Sequence, residues 1–225
     1  MSGPCRLGLL ALGDSITKGD GEPALGVSYR SWALWLAHGL ELPYTNLAVD
    51  EAVAASLVTE QLPRVRADYD LACVYIGVNN ARGPDWDGDR FAADFGATLA
   101  RLRRHAARVL TFTIPLDLGR PRAGAKVGEA NAVVRRLAGE HGAVCAELSD
   151  LRGWRLLLPD AVHPTALGQL EIADRAAAAL GASRRPSHAA GSLPLGPRGR
   201  ISYARTHARL LARDVVRRRW EALRT

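Results

Sequence analysis

A three-layer α/β domain built on a parallel sheet is the fold class this sequence predicts. The first observation is alternation. Over roughly the first 180 residues, apolar runs of strand length take turns with segments of helical period. The second is the placement of the loops. Long polar stretches rich in Gly, Pro, Asn and Asp follow the first, third, fourth and fifth apolar runs. In a parallel sheet these loops gather on one edge, where ligands bind in such folds. The third is composition. Of 225 residues, 48% are hydrophobic and 24% charged, which supplies a sizeable core and argues against wholesale disorder.

The elements follow in order. Arg6 to Leu12 is the first strand, and Gly13 opens a polar loop that runs to Gly26. Tyr29 to Leu40 is a helix with Trp32, Trp35 and Leu36 on its inner side. Tyr44 to Val49 is short and apolar, hence the second strand. Ala52 to Leu62 reads as a helix that stops near Pro63, because proline cannot continue the hydrogen-bond ladder. The continuous apolar run Leu71 to Ile76 is a central strand buried on both faces. Gly77 to Asp89 is a loop. Arg90 to Arg108 is a helix with Phe91, Phe95, Leu99 and Leu102 on one stripe. Val109 to Ile114 is the fourth strand, ended by Pro115. Lys126 to His141 is a helix with Val133, Val134 and Leu137 inward, and Ala143 to Leu148 is the fifth strand. An irregular stretch from Ser149 to Pro164 precedes a helix from Thr165 to about Leu180.

Beyond that point the composition shifts, so residues 1–181 are read as one domain and 182–225 as an appendage. Arg184 to Arg200 carries Pro186, Pro194 and Pro197 and reads as a strap. Ser202 to Leu223 is a basic helix. Arg205, Arg209, Arg213 and Arg217 form one stripe, and Ala204, Ala208, Leu211 and Val215 form an adjacent apolar stripe expected to dock it.

Several function classes lose support. The formal charge is +7, but Lys18 and Lys126 are the only lysines. An Arg-for-Lys bias explains such a charge as well as a polyanionic partner does. The stripe also lacks base-reading aromatics, so no specific nucleic-acid module is expected. Cys5, Cys73 and Cys145 are odd in number and fall in or beside apolar runs, which fits buried thiols in a reducing compartment. The apolar run Leu9 to Leu12 is too short for a signal peptide, and no stretch has the length of a transmembrane segment. A cytoplasmic location is expected. Nothing in the pattern specifies an oligomeric state.

The chemistry begins at Gly13-Asp14-Ser15, where the first strand delivers a hydroxyl to its carboxyl end. A serine needs a positioned base, oriented by a carboxylate, to act as a nucleophile. Of the six histidines, His38, His105 and His141 fall on helices or their ends, His188 in the strap and His207 on the basic helix. His163 lies in Pro159-Asp160-Ala161-Val162-His163-Pro164, a loop after the last strand. In a turn, Asp160 can reach one imidazole nitrogen and leave the other facing Ser15. Gly77-Val78-Asn79-Asn80 follows the central strand, and an Asn side chain there can donate to a developing oxyanion beside the N–H of Ser15.

These blocks resemble the SGNH (GDSL-type) hydrolase family. Gly13-Asp14-Ser15 with Ile16-Thr17 is similar to its first block. Asn46-Leu47-Ala48-Val49-Asp50-Glu51 falls where the second is expected, Gly77-Val78-Asn79-Asn80 resembles the third, and Asp160-Ala161-Val162-His163 the last. The resemblance implies a flavodoxin-like αβα sandwich with a five-stranded parallel sheet, here with the basic helix appended. It implies Ser15 as nucleophile, His163 as general base and acid, and Asp160 as the orienting carboxylate. The oxyanion hole it implies comprises the Ser15 N–H, a second-block N–H at Glu51, and the Asn79 side chain. It implies a small-molecule acyl ester or thioester as substrate, and no metal or organic cofactor. Acyl transfer from the same acyl-enzyme is the enzymatic alternative. Binding of an anionic surface through the basic helix is the non-enzymatic one.

Two positions depart from the family pattern. Glu51 stands where glycine is usual, and glycine permits positive φ and close backbone approach. Its carboxylate, turned inward, would oppose an oxyanion or bind a cationic group; turned outward, it leaves only a question of backbone shape. Asn80 stands where aspartate is usual, and its isosteric amide can keep a structural hydrogen bond.

Overall fold

The computed structural model describes residues 6–19, 27, 29–190 and 197–222. Five strands, β1 (Leu9–Gly13), β2 (Tyr44–Asn46), β3 (Tyr69–Tyr75), β4 (Ala106–Phe112) and β5 (Val144–Ala146), form one sheet in the order β2-β1-β3-β4-β5. Every pairing is parallel, and Gly13 lies in register with Tyr75. This is the αβα architecture that the alternation predicts.

Eight helices are described: α1 (Ser15–Lys18), α2 (Trp32–Gly39), α3 (Ala54–Ser56), α4 (Val78–Arg82), α5 (Gly88–His105), α6 (Lys126–Glu140), α7 (Ala166–Ala179) and α8 (Pro197–Ala222). The pair α2 and α7 packs together, and so does the pair α5 and α6. The five residues of β1 are buried without exception, and each leucine so removed from water contributes about 1.5–3 kcal/mol. Trp32 of α2 meets Phe112 edge-on at 4.5 Å, and Phe112 meets Tyr75 at 5.3 Å, tying that layer to β3 and β4.

Several boundaries differ from the sequence expectation. The second strand stops at Asn46 rather than Val49. There the Asn46 side chain accepts from the Ala48 N–H (3.0 Å) and donates to the Thr17 carbonyl (3.1 Å), which turns the chain. The helix expected from Ala52 to Leu62 is a turn of α-helix followed by a π-helical turn (Leu57–Gln61) and a 3₁₀ turn (Leu62–Arg64). α5 stops at His105 and β4 begins at once, because Tyr69 and Leu71 of β3 pair with Ala106 and Arg108. Helices α1 and α4 lie inside stretches expected to be loops.

The strap packs through a 3₁₀ turn (Pro186–His188), with Pro186 buried against Gly39 at the end of α2. Pro194 and Cys5 lie outside the described residues. The apolar stripe expected to dock the basic helix is not buried: Ala204, Ala208, Leu211 and Val215 are exposed on α8. With two alanines among its four residues, the stripe offers little apolar area to hold a long charged helix against the domain. The edge of His207 on Trp154, with centroids 5.7 Å apart, is a contact between α8 and the domain. Arg205, Arg209 and Arg213 are exposed; the side chain of Arg217 lies outside the described set. Among the described residues no helix is long and apolar enough to cross a membrane.

Candidate active site

The site is assembled at the carboxyl ends of the strands. Gly13 ends β1 at φ +150°, and a methyl group there would lie 2.4 Å from the Tyr75 carbonyl and 2.5 Å from Thr17 Oγ1. Only glycine lets the chain turn this close to β3. Asp14 then caps α1: its Oδ1 accepts from the Ile16 N–H at 3.0 Å. That turn leaves Ser15 partly exposed at the rim.

Ser15 Oγ lies 3.1 Å from His163 Nε2, and His163 Nδ1 lies 2.6 Å from Asp160 Oδ2. With the ring proton on Nδ1, His163 donates to Asp160 and accepts the Ser15 hydroxyl proton on Nε2. The turn carrying both residues is held by Asp160 itself, whose Oδ1 accepts the N–H groups of Val162 (2.9 Å) and His163 (3.1 Å). Ala161 takes a left-handed φ of +53° to make the turn, a conformation that costs a non-glycine residue about 1–2 kcal/mol. The structure thus brings together the three residues that the sequence proposed, from opposite ends of the domain.

Electrostatics follow from this geometry. The hydrogen bond to Asp160 raises the pKa of His163 above its ordinary value, and burial opposes the rise. Burial acts to raise the Asp160 pKa, but the bonds from His163 and the turn hold it below the usual carboxylate value. Asp14 behaves oppositely. It is 1% exposed, its Oδ2 has no partner among the described residues, and burial pushes its pKa up to about 7.

The oxyanion candidates lie on adjoining segments. Asn79, near the start of α4, uses Nδ2 to donate to the Ala52 carbonyl at 3.0 Å. One amide hydrogen is so committed, and the second is left to donate elsewhere. Asn80 Oδ1 accepts from the Ala54 N–H at 3.0 Å, a task for which an amide oxygen serves as well as a carboxylate. The two asparagines clamp the segment that follows Glu51. The same segment is tied to β1 through the Val49 N–H on the Gly13 carbonyl (3.1 Å) and an ion pair between Lys18 and Asp50. Glu51 itself is exposed and adopts φ +58°. It keeps the backbone shape of the expected glycine and turns its carboxylate outward. Among the described residues, the N–H groups of Ser15 and Glu51 donate to no protein acceptor.

Residues 11–170 match the GDSL-like lipase/acylhydrolase family. The chain belongs to that family. Membership makes the chain an esterase- or lipase-like hydrolase. Among solved structures it is similar to LAE5, an α/β hydrolase enzyme from the metagenome of Lake Arreo, Spain, at 19% identity and a TM-score of 0.63 over 77% of this chain and 94% of that one. It is also similar to Axe2, an acetylxylan esterase from Geobacillus stearothermophilus, at 18% identity and a TM-score of 0.62 over 79% and 97%. A catalytic mutant of Axe2 in which a serine is replaced by alanine matches at 17% identity and a TM-score of 0.63 over 81% and 98%. At these identities the likeness is one of fold. No curated protein matches the chain in sequence.

Two supports of this GDSL-like site escaped the sequence reading. Gln61 is fully buried and reaches Gly13 from the π-helical turn. It accepts the Gly13 N–H (3.0 Å) and donates to its carbonyl (2.8 Å), acting as a substitute peptide at the strand end. Gln169 of α7 accepts the Trp32 N–H (2.8 Å) and donates to the Ile16 carbonyl (3.0 Å), which holds α1 between two helices. For Gln169 the available signal was a glutamine in an apolar run, since a buried amide must find partners; Gln61 follows Thr59 and Glu60 and carries no such signal. The loop between α4 and α5 also lines a cavity of about 290 Å³, where Asp85, Trp86 and Asp87 share the wall with Asn79 and Asn80. Trp154 and Arg155 border a separate cleft that contains none of Ser15, Asp160 and His163.

Proposed function

We propose that this GDSL-like enzyme hydrolyses carboxylic esters or thioesters through a Ser-His-Asp triad and an acyl-enzyme. Ser15 Oγ attacks the acyl carbonyl while His163 Nε2 takes its proton. Asp160 holds the Nδ1–H tautomer and stabilises the imidazolium that forms. The oxyanion accepts hydrogen bonds from the Ser15 and Glu51 N–H groups and from the second hydrogen of Asn79 Nδ2, donors oriented before the reaction begins. His163 then gives its proton to the leaving alcohol or thiol. In the second half, a water attacks the acyl-enzyme and His163 takes its proton, then gives it to Ser15 Oγ as the free acid is released.

The observation that carries this reading is the continuous pair of hydrogen bonds from Ser15 Oγ to His163 and from His163 to Asp160. Similarity to an acetylxylan esterase makes acetyl esters the first substrates to try. The test pairs 4-nitrophenyl acetate turnover with fluorophosphonate labelling followed by peptide mass spectrometry. The label should sit on Ser15, and Ser15→Ala should lose both labelling and at least about a thousandfold in kcat, as loss of a nucleophile does. A wild-type chain inert to both reagents, or a Ser15→Ala variant as active as wild type, would overturn it.

A further inference from the structure

Arg82 is a charged residue of the site region with no task in the mechanism above. It is the last residue of α4, three positions after Asn79, and residues so spaced share one face of a helix. Its side chain is exposed, and among the described residues it makes no ion pair and no hydrogen bond. Neighbouring charges are already used. Asp117 is held by Arg120 at 2.8 Å and by Arg122 at 3.0 Å. The carbonyl of Gly83, just past α4, accepts from Lys126 at 2.9 Å.

The direction of the Arg82 side chain comes from its contact with Gly119. A methyl group built on Gly119 would lie 3.6 Å from Arg82 Nε and 3.8 Å from its Cδ. The Gly119 N–H donates to the Ala161 carbonyl at 3.0 Å, and Ala161 lies inside the turn that carries Asp160 and His163. The guanidinium arm therefore runs along the loop that backs the general base. Its charge reaches the imidazole, where it opposes the rise in the His163 pKa. An unpaired cation here weakens the base, so its benefit must lie with another group. On the His163 side of the scissile bond, that group belongs to the leaving alcohol.

We propose that Arg82 is an anion-binding subsite for the alcohol half of the substrate, which carries a carboxylate or phosphate group. The guanidinium is planar with several donors, is always charged, and suits both anions. The inference rests on the hydrolase reading given above. Its test uses three acetate esters: 4-acetoxybenzoate, 4-acetoxyphenyl phosphate and the neutral methyl 4-acetoxybenzoate.

The quantity read is the ratio of kcat/KM for each anionic ester to that for the neutral one, compared between wild type and Arg82→Gln. The intrinsic reactivity of the phenols and any change at His163 cancel in that comparison. The ratio should fall about tenfold in Arg82→Gln, the effect of one partly solvated charge-assisted hydrogen bond. It should recover in part in Arg82→Lys and fall further in Arg82→Glu. Added salt should lower it in wild type alone. The larger change identifies the preferred anion. An equal ratio in wild type and Arg82→Gln for both anions overturns the subsite and leaves the hydrolase reading standing. A wild type that cleaves none of the three esters overturns both.

Discussion

Replacing Asp14 by Asn should convert a pH-dependent cost of folding into a pH-independent one. Asp14 is 1% exposed, its Oδ1 is bonded to the Ile16 N–H, and its Oδ2 has no partner among the described residues. Desolvation accordingly pushes its pKa from 3.8 to about 7, against the pull of the Ile16 bond and of His163. In the unfolded chain the group loses its proton near pH 4, while in the fold it keeps it until about pH 7. Between those values the native state binds more protons, so stability falls as pH rises, and above about pH 7 the loss is complete. A span of about three pH units at 1.36 kcal/mol each amounts to about 4 kcal/mol at pH 8. Asparagine is isosteric and never ionises. Its Oδ1 keeps the Ile16 bond, and its amide takes the place of the protonated, unpartnered oxygen. Urea denaturation of both proteins at pH 4.5, 6 and 8 measures the difference. The variant should match wild type to within about 1 kcal/mol at the lowest pH and gain on it by up to about 4 kcal/mol at the highest. A gap that stays constant with pH would refute the reasoning, since it would mean that Asp14 titrates alike in both states.

Two further substitutions probe the backbone around Ser15. Glu51→Gly should stabilise the protein by about 0.5–1 kcal/mol, because a left-handed φ costs a side-chain-bearing residue about 1–2 kcal/mol and the extra freedom of unfolded glycine returns part of it. Turnover on simple esters should stay within about twofold, since the residue 51 N–H already has its glycine-like orientation; a destabilised variant would contradict this. Gln61→Leu strands the buried Gly13 N–H, which has no other acceptor among the described residues, and should cost about 2 kcal/mol in urea denaturation. Retained stability together with unaltered kcat would show that Gln61 does not hold the nucleophile turn.

The sequence by itself determined the sheet and pointed to the residues proposed for its chemistry. Apolar strands alternating with helical stripes leave few arrangements that bury both kinds of element, and right-handed crossovers select the parallel one. Ser15 at a strand end and Asp160 three residues before His163 are legible as candidates from residue type and short-range spacing. Other features could be decided only by tertiary structure. Glu51 reads as a departure from glycine with its direction open, but Asn79 and Asn80 clamp the segment behind it, and such contacts between distant segments can hold a local conformation that a lone residue would avoid. Gln61 reads as one polar residue in a helix, yet a π-helical turn aims it at Gly13, from which it is separated by α1, α2, β2 and α3 in the chain. Arg82 reads as loop charge until the Gly119 loop sets it against the His163 turn. Each of these depends on which distant segments meet at one edge of the sheet, and local pattern carries no record of that.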